Sequence, residues 1–211
     1  MLTPRHERLL RHLCRDVRLT IGDLASELLD PCVAEATDST RELSGLVTRD
    51  FLRRDRVIAR ILPRLETPLA VWQPGEPRPE TGSIAWQSQK RWDIEPNVVP
   101  VYRAGPLSRR LFGYATAGGP GNLNALSHDI ACCALLVAFS RTAPERVRHW
   151  VGEDLRKTEQ GHGEKLPDVI LFGEDLKPYL VCEVTGLYPK ARLEAFHDYV
   201  ANELRLPYEL W

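Results

Sequence analysis

The chain has 211 residues, 43% hydrophobic residues and a net charge of -1, which excludes a disordered chain and a uniformly basic nucleic-acid coat protein. No apolar run is expected to reach the length of a membrane span, and the charged N-terminus "MLTPRHERLLRHLCRD" lacks a signal peptide's apolar core, so a cytoplasmic protein with no membrane contact is expected. Five scattered cysteines without CxxC spacing read as buried free thiols rather than as disulfides or a zinc site.

In chain order, "TPRHERLLRHLCR" predicts a helix capped by Thr3, with Pro4 at its first position and Leu9, Leu10 and Leu13 on one face. "TIGDLASELLD" predicts a second, with Thr20 as cap and Asp23 in the capping-box position. "DSTRELSGLVTRDFL" predicts a third. Apolar runs at 57–62 and 68–72, joined by a polar turn, predict a hairpin. Three helices and a hairpin suggest a winged helix-turn-helix over residues 1–75, whose third helix would enter the major groove.

Its DNA-facing side would carry Ser39, Thr40, Arg41, Ser44, Thr48 and Arg49, and its wing Arg53, Arg54, Arg56 and Arg60. Arg suits phosphate, and small hydroxyls permit close approach. The chain holds 23 Arg and 5 Lys. The same Arg residues also suit a solvated face or a dimerisation module, but they fall on the two elements that would touch DNA. DNA is the expected partner, and a homodimer is left open.

"QPGEPRPETG" (73–82) is a linker by composition, and residues 76–123 read as a connecting segment with a short helix at "SIAWQSQKRW" and a strand at "NVVPVYRAG". Neither "GGPG" nor "GHGEK" has the spacing of a phosphate loop.

From 124 onward the expected order is helix, three strands, helix, strand. "NALSHDIACCALLVAFSRT" is the apolar helix and "ERVRHWVGEDLRK" the first strand. "DVILF" and "YLVCEV" form a pair around "GEDLKP"; "PKARLEAFHDYVANELR" is an amphipathic helix and "LPYELW" a final strand. Asp168 follows Pro167 at the start of the second strand, and Glu183 interrupts the third. Two unpaired carboxylates inside a sheet are costly unless a cation or a solvent cleft receives them. Each also has a simpler reading: Asp168 bonded to a neighbouring backbone N–H, and Glu183 facing water or paired with Lys190 or Arg192.

This pattern resembles the PD-(D/E)xK nuclease superfamily over 124–211. The resemblance implies a restriction-endonuclease-like αβββαβ fold, with Asp168 and Glu183 as ligands of a divalent cation, usually Mg²⁺. Hard oxygen ligands suit that ion. The superfamily's Lys, two residues after the Glu, is replaced by Thr185; Lys190 on the following helix is the candidate substitute. A winged helix followed by His128, Asp129, Trp150, Glu153, Pro167, Asp168 and Glu183 further resembles the replication-relaxation family of plasmid and mobile-element proteins, although "VTGLYPK" departs from the stretch those proteins carry after the Glu.

The fold expectation is therefore α+β: a winged helix plus a nuclease-like domain. Three functions stand: a DNA-binding regulator or replication accessory with a nuclease-like scaffold, an Mg²⁺-dependent endonuclease using Asp168, Glu183 and Lys190, and an interaction subunit without DNA contact.

Overall fold

A computed structural model describes residues 1–31, 39–113, 122–157 and 166–211. The fold is α+β, with two sheets. The chain divides into two compact units: unit 1 holds Met1–Ile61 and Pro96–Val147, and unit 2 holds Leu62–Glu95 and Arg148–Trp211. The units are interleaved along the chain rather than consecutive, unlike the expected boundaries at 75 and 123.

Unit 1 opens with α1 (Pro4–Arg15). Thr3 caps it as expected: its hydroxyl accepts from the His6 N–H (3.4 Å), while His6 Nδ1 accepts from the Thr3 N–H (3.1 Å). Leu9, Leu10 and Leu13 are fully buried. Thr20 does not cap the second helix. It lies in β1 (Thr20–Ile21), paired with Tyr102, and α2 (Gly22–Leu29) starts without a side-chain cap. α3 (Thr40–Thr48) is shorter than expected, because Asp50 takes a left-handed backbone (φ 58°) and turns the chain into β2 (Leu52–Ala59).

The expected hairpin between 57–62 and 68–72 does not form. β2 pairs antiparallel with β4 (Asn97–Ala104), Val57 opposite Val99, and the first sheet has the order β1-β4-β2. The run 70–72 becomes β3 (Ala70–Trp72) of the other sheet. β4 ends at Gly105 and leads into α5 (Pro106–Phe112). α6 (Leu123–Thr142), expected to open the nuclease-like domain, belongs to unit 1 and packs on β1, α2 and β2. Its Leu126 and Ile130 join Leu19, Ile21, Val57, Ala59 and Val101 in one apolar core. By length and composition α6 is apolar enough to cross a membrane, contrary to the expectation that no run would be, but over half of that stretch is buried. Two thiols of this unit, Cys14 and Cys133, are buried, and burial pushes them up to about 11 and about 12.

Unit 2 holds the five-stranded sheet β3-β8-β7-β6-β5. The stretch expected as one long strand from 145 to 157 is instead α7 (Pro144–Arg148), the short β5 (Trp150–Gly152) and α8 (Glu153–Lys157). β5, β6 (Val169–Phe172) and β7 (Pro178–Glu183) form an antiparallel meander. α9 (Lys190–Tyr199) and a π-helical turn (Val200–Leu204) then return the chain, so that β8 (Tyr208–Leu210) runs parallel to β7. A parallel neighbour needs such a crossover, whereas a tight turn suffices for β6 and β7. α4 (Thr81–Trp92) and α9 cover one face of this sheet, with Ile84, Ile170, Val181, Leu193, Phe196 and Tyr208 in its core.

Candidate functional site

On unit 1, the side chains expected at DNA are mostly outward. Thr40, Arg41, Ser44, Thr48 and Arg49 on and after α3, and Arg53, Arg54 and Arg56 on β2, are all exposed. Side chains alternate along a strand, so Arg54 and Arg56 share one face of β2 and Arg53 takes the other. Among the described residues none of Arg41, Arg53, Arg54 and Arg56 has an ion-pair partner. The Arg54 guanidinium lies 6.0 Å from the centre of the Tyr102 ring. Arg103, opposite Arg53, pairs with Asp55 at 2.7 Å.

The remaining candidates are spent locally. The Thr48 hydroxyl donates to the Ser44 carbonyl (3.0 Å), and Arg49 Nε to the Gly45 carbonyl (3.1 Å). Ser39 is buried. Arg60 turns toward α6: its N–H donates to Ser127 Oγ (2.9 Å) and its guanidinium to Asn124 Oδ1 (3.4 Å).

On unit 2, β6 and β7 bring Asp168 and Glu183 together. Val169 pairs with Cys182, so the next residues, Asp168 and Glu183, stand opposite each other with Ile170 and Val181 on their face. Each carboxylate binds the other strand. The Asp168 N–H donates to Glu183 Oε2 (3.1 Å), and the Val184 N–H to Asp168 Oδ2 (2.8 Å). Hydrogen bonds to a charged acceptor contribute about 1.5–3 kcal/mol each, so these acids clamp the strand ends. The simpler reading of Asp168, a bond to a neighbouring backbone N–H, holds.

Tyr188, which no sequence spacing singles out, joins the two acids. Its hydroxyl donates to Glu183 Oε1 (2.9 Å) and accepts from Arg192 Nη2 (2.9 Å), whose guanidinium stacks 3.7 Å from the ring centre. Burial, with the charges of Glu183 and Asp168, pushes the Tyr188 hydroxyl far above its ordinary value, so it stays a donor.

Arg156 is the second residue without a sequence signal. It is buried on α8, donates Nη2 to the Pro167 carbonyl, and has an enclosed Nε with no partner. Burial lowers its pKa, while the carboxylates of Glu153, Asp168 and Glu183 oppose that shift.

The lysine position is occupied structurally. Thr185 is fully buried; its hydroxyl donates to the Trp211 carbonyl (2.8 Å) and accepts from Ser88 (3.0 Å), and its carbonyl accepts from Trp92 Nε1 (2.6 Å). Lys190 is exposed, with its ammonium 3.7 Å from Glu194 one turn along α9. Glu153 donates its N–H to the Asp168 carbonyl (2.9 Å), tying α8 to the start of β6. Trp150 is buried in β5, and His197 bonds the Tyr208 hydroxyl (3.0 Å). His128 and Asp129 lie on α6 of unit 1, where Asp129 pairs with Arg18 at 3.6 Å and His128 Nδ1 lies 3.6 Å from Cys132 Sγ. The "GGPG" and "GHGEK" stretches lie outside the described residues.

Comparisons with protein-family models, with curated proteins and with solved structures each gave no match to this chain.

Proposed function

We propose that this is a DNA-binding protein of the replication-relaxation type, in which unit 1 is a winged helix-turn-helix and unit 2 a PD-(D/E)xK-like core that serves as a scaffold. The observation that carries the reading is the set of exposed arginines without carboxylate partners, Arg41, Arg53, Arg54 and Arg56, on α3 and β2 of one unit. Protein surfaces ordinarily intersperse opposite charges; an unbalanced Arg group is the electrostatic footprint of a phosphate backbone. The element order α1-β1-α2-α3-β2 with the sheet β1-β4-β2 supports the winged-helix assignment, with β2 and β4 as the wing. The meander β5-β6-β7, the α9 crossover and the parallel β8 support the nuclease-like assignment of unit 2.

Mg²⁺ fits the acids poorly. Three of their oxygens accept hydrogen bonds from Val184, Asp168 and Tyr188, and a buried guanidinium with an orphaned Nε lies on the adjoining helix. Neither Thr185 nor Lys190 is placed to assist an attacking water. The endonuclease reading retains one favourable observation: Asp168 and Glu183 come together where β6 begins and β7 ends, each bonded to the other's strand.

The test is fluorescence anisotropy with duplex and single-stranded DNA over a range of salt, beside a plasmid cleavage assay with Mg²⁺ or Mn²⁺. Salt-sensitive binding without cleavage is expected. Cleavage lost in Asp168→Ala and Glu183→Ala would replace the scaffold reading with the endonuclease. Absent or salt-insensitive binding would leave a protein-interaction subunit.

A further inference from the structure

A guanidinium enclosed by protein needs both hydrogen-bond acceptors and compensating charge. Arg156 is only 7% exposed, has one hydrogen-bond acceptor in the Pro167 carbonyl, and keeps its Nε enclosed without one. It makes no direct ion pair among the described residues, so its compensation comes at longer range from nearby carboxylates. Pro167 precedes Asp168 in the chain, and the Glu153 N–H holds the first turn of the same helix to the Asp168 carbonyl. Asp168 in turn stands opposite Glu183, which is itself buried. Glu153, three residues before Arg156, adds a carboxylate from the same helix.

We propose that Arg156 is the resident counter-cation of the Asp168–Glu183 pair and keeps divalent metal ions from binding there. The proposal rests on the nuclease-like reading of unit 2 only in naming which ion is displaced. The side chain supplies the positive charge that lets two acids stand opposite each other inside a sheet. Unlike a metal, it is delivered by folding. A divalent ion would have to share three carboxylate oxygens with their present donors while meeting the repulsion of the guanidinium. Arg stays charged when buried, so it suits this task better than Lys.

The experiment measures thermal unfolding and calorimetric titration of the full chain with MgCl₂ and MnCl₂, for the wild type, Arg156→Gln, Arg156→Lys, Asp168→Asn and Glu183→Gln. The wild type and Arg156→Lys should show no saturable metal heat and no shift in Tm. Arg156→Gln should have a lower Tm without metal, partly restored by Mn²⁺, with the restoration abolished when Asp168→Asn is added. In metal-free buffer Asp168→Asn and Glu183→Gln should each lower the Tm, because a buried cation loses its balance.

Saturable metal binding by the wild type that Asp168→Asn removes would overturn the proposal. So would a folded Arg156→Gln protein indifferent to Mn²⁺. A rise in Tm, or none, on neutralising either acid would also overturn it, since it would mean that the acids repel one another rather than balance Arg156. Those readings survive even if Arg156→Gln does not fold. DNA binding, measured on the same wild-type sample, fails or succeeds independently of all of them.

Discussion

Unit 1 and unit 2 use the same side chain in opposite ways. On β2, Arg54 and Arg56 are exposed and lack carboxylate partners among the described residues. On α8, Arg156 is enclosed with the charges of Glu153, Asp168 and Glu183 acting on it. An exposed guanidinium costs the fold almost nothing and remains available for a phosphate. A buried one is part of the fold, and its removal leaves acids without compensation. The charge of a residue therefore says little until its dielectric surroundings are known.

Breaking the buried arrangement should have the largest effect. Asp168→Ala removes the acceptor of the Val184 N–H and a charge that offsets Arg156. A loss of about 1–3 kcal/mol is expected, as for a hydrogen-bond donor left without its acceptor, read by urea denaturation; a loss below about 0.5 kcal/mol would mean the acid behaves like a surface charge. Unit 1 has a comparable weak point, set by backbone packing rather than charge. A Cβ at Gly105 would lie 2.8 Å from the Phe51 carbonyl carbon and 2.9 Å from that of Asp50, where the Gly105 N–H bonds the Phe51 carbonyl. Gly105→Ala should cost about 1–3 kcal/mol through this overpacking, measured as a lower denaturation midpoint with an unchanged m-value.

The exposed arginines should separate binding from stability. Arg54→Ala with Arg56→Ala is expected to change stability by less than about 0.5 kcal/mol. It should also weaken DNA binding about tenfold or more and reduce the slope of log K against log salt by about 1.8, for two lost phosphate contacts. An unaltered slope would place the DNA contacts elsewhere.

Two smaller effects complete the contrast. Burial, with the charge of Arg78, lowers the pKa of His197 from its ordinary 6.5, while Asp198 opposes the shift. A base held neutral in the fold stabilises it above its unfolded pKa; that contribution is lost as pH falls through 6.5 toward the lower folded value. Tm should therefore decline slightly more on acidification in the wild type than in His197→Gln. Lys190→Ala should alter stability by no more than about 0.5 kcal/mol, as for an exposed pair one helical turn apart. A larger loss would show that its ammonium serves the acids rather than Glu194.

Much of the local structure was legible. Thr3, Pro4 and the leucines after them specify α1, because a cap and a helical period act within a few residues. The β-branched and aromatic runs "DVILF" and "PYLVCE" mark β6 and β7, and their short connection fixes the register that sets Asp168 opposite Glu183. The expected hairpin does not form. Adjacent apolar runs at 57–62 and 68–72 look like a hairpin, yet residues 52–59 pair with 97–104 and 70–72 with β8. Nothing within either run encodes so distant a partner. Tyr188 and Arg156 were missed for the same reason: one sits in an irregular loop, the other in a stretch whose apolar residues suggested a strand.

The sequence by itself determined where α1 and α9 begin, that 169–172 and 179–183 become strands, and that Arg41, Arg53, Arg54 and Arg56 lie on polar faces, since propensity and periodicity are properties of neighbouring residues. Only the tertiary structure decided which strand completes β2, that α6 belongs with unit 1, and that one arginine of 23 is buried near two acids. Strand partners and the burial of a charge depend on surfaces contributed by remote segments, and their energies exist only once those segments have met.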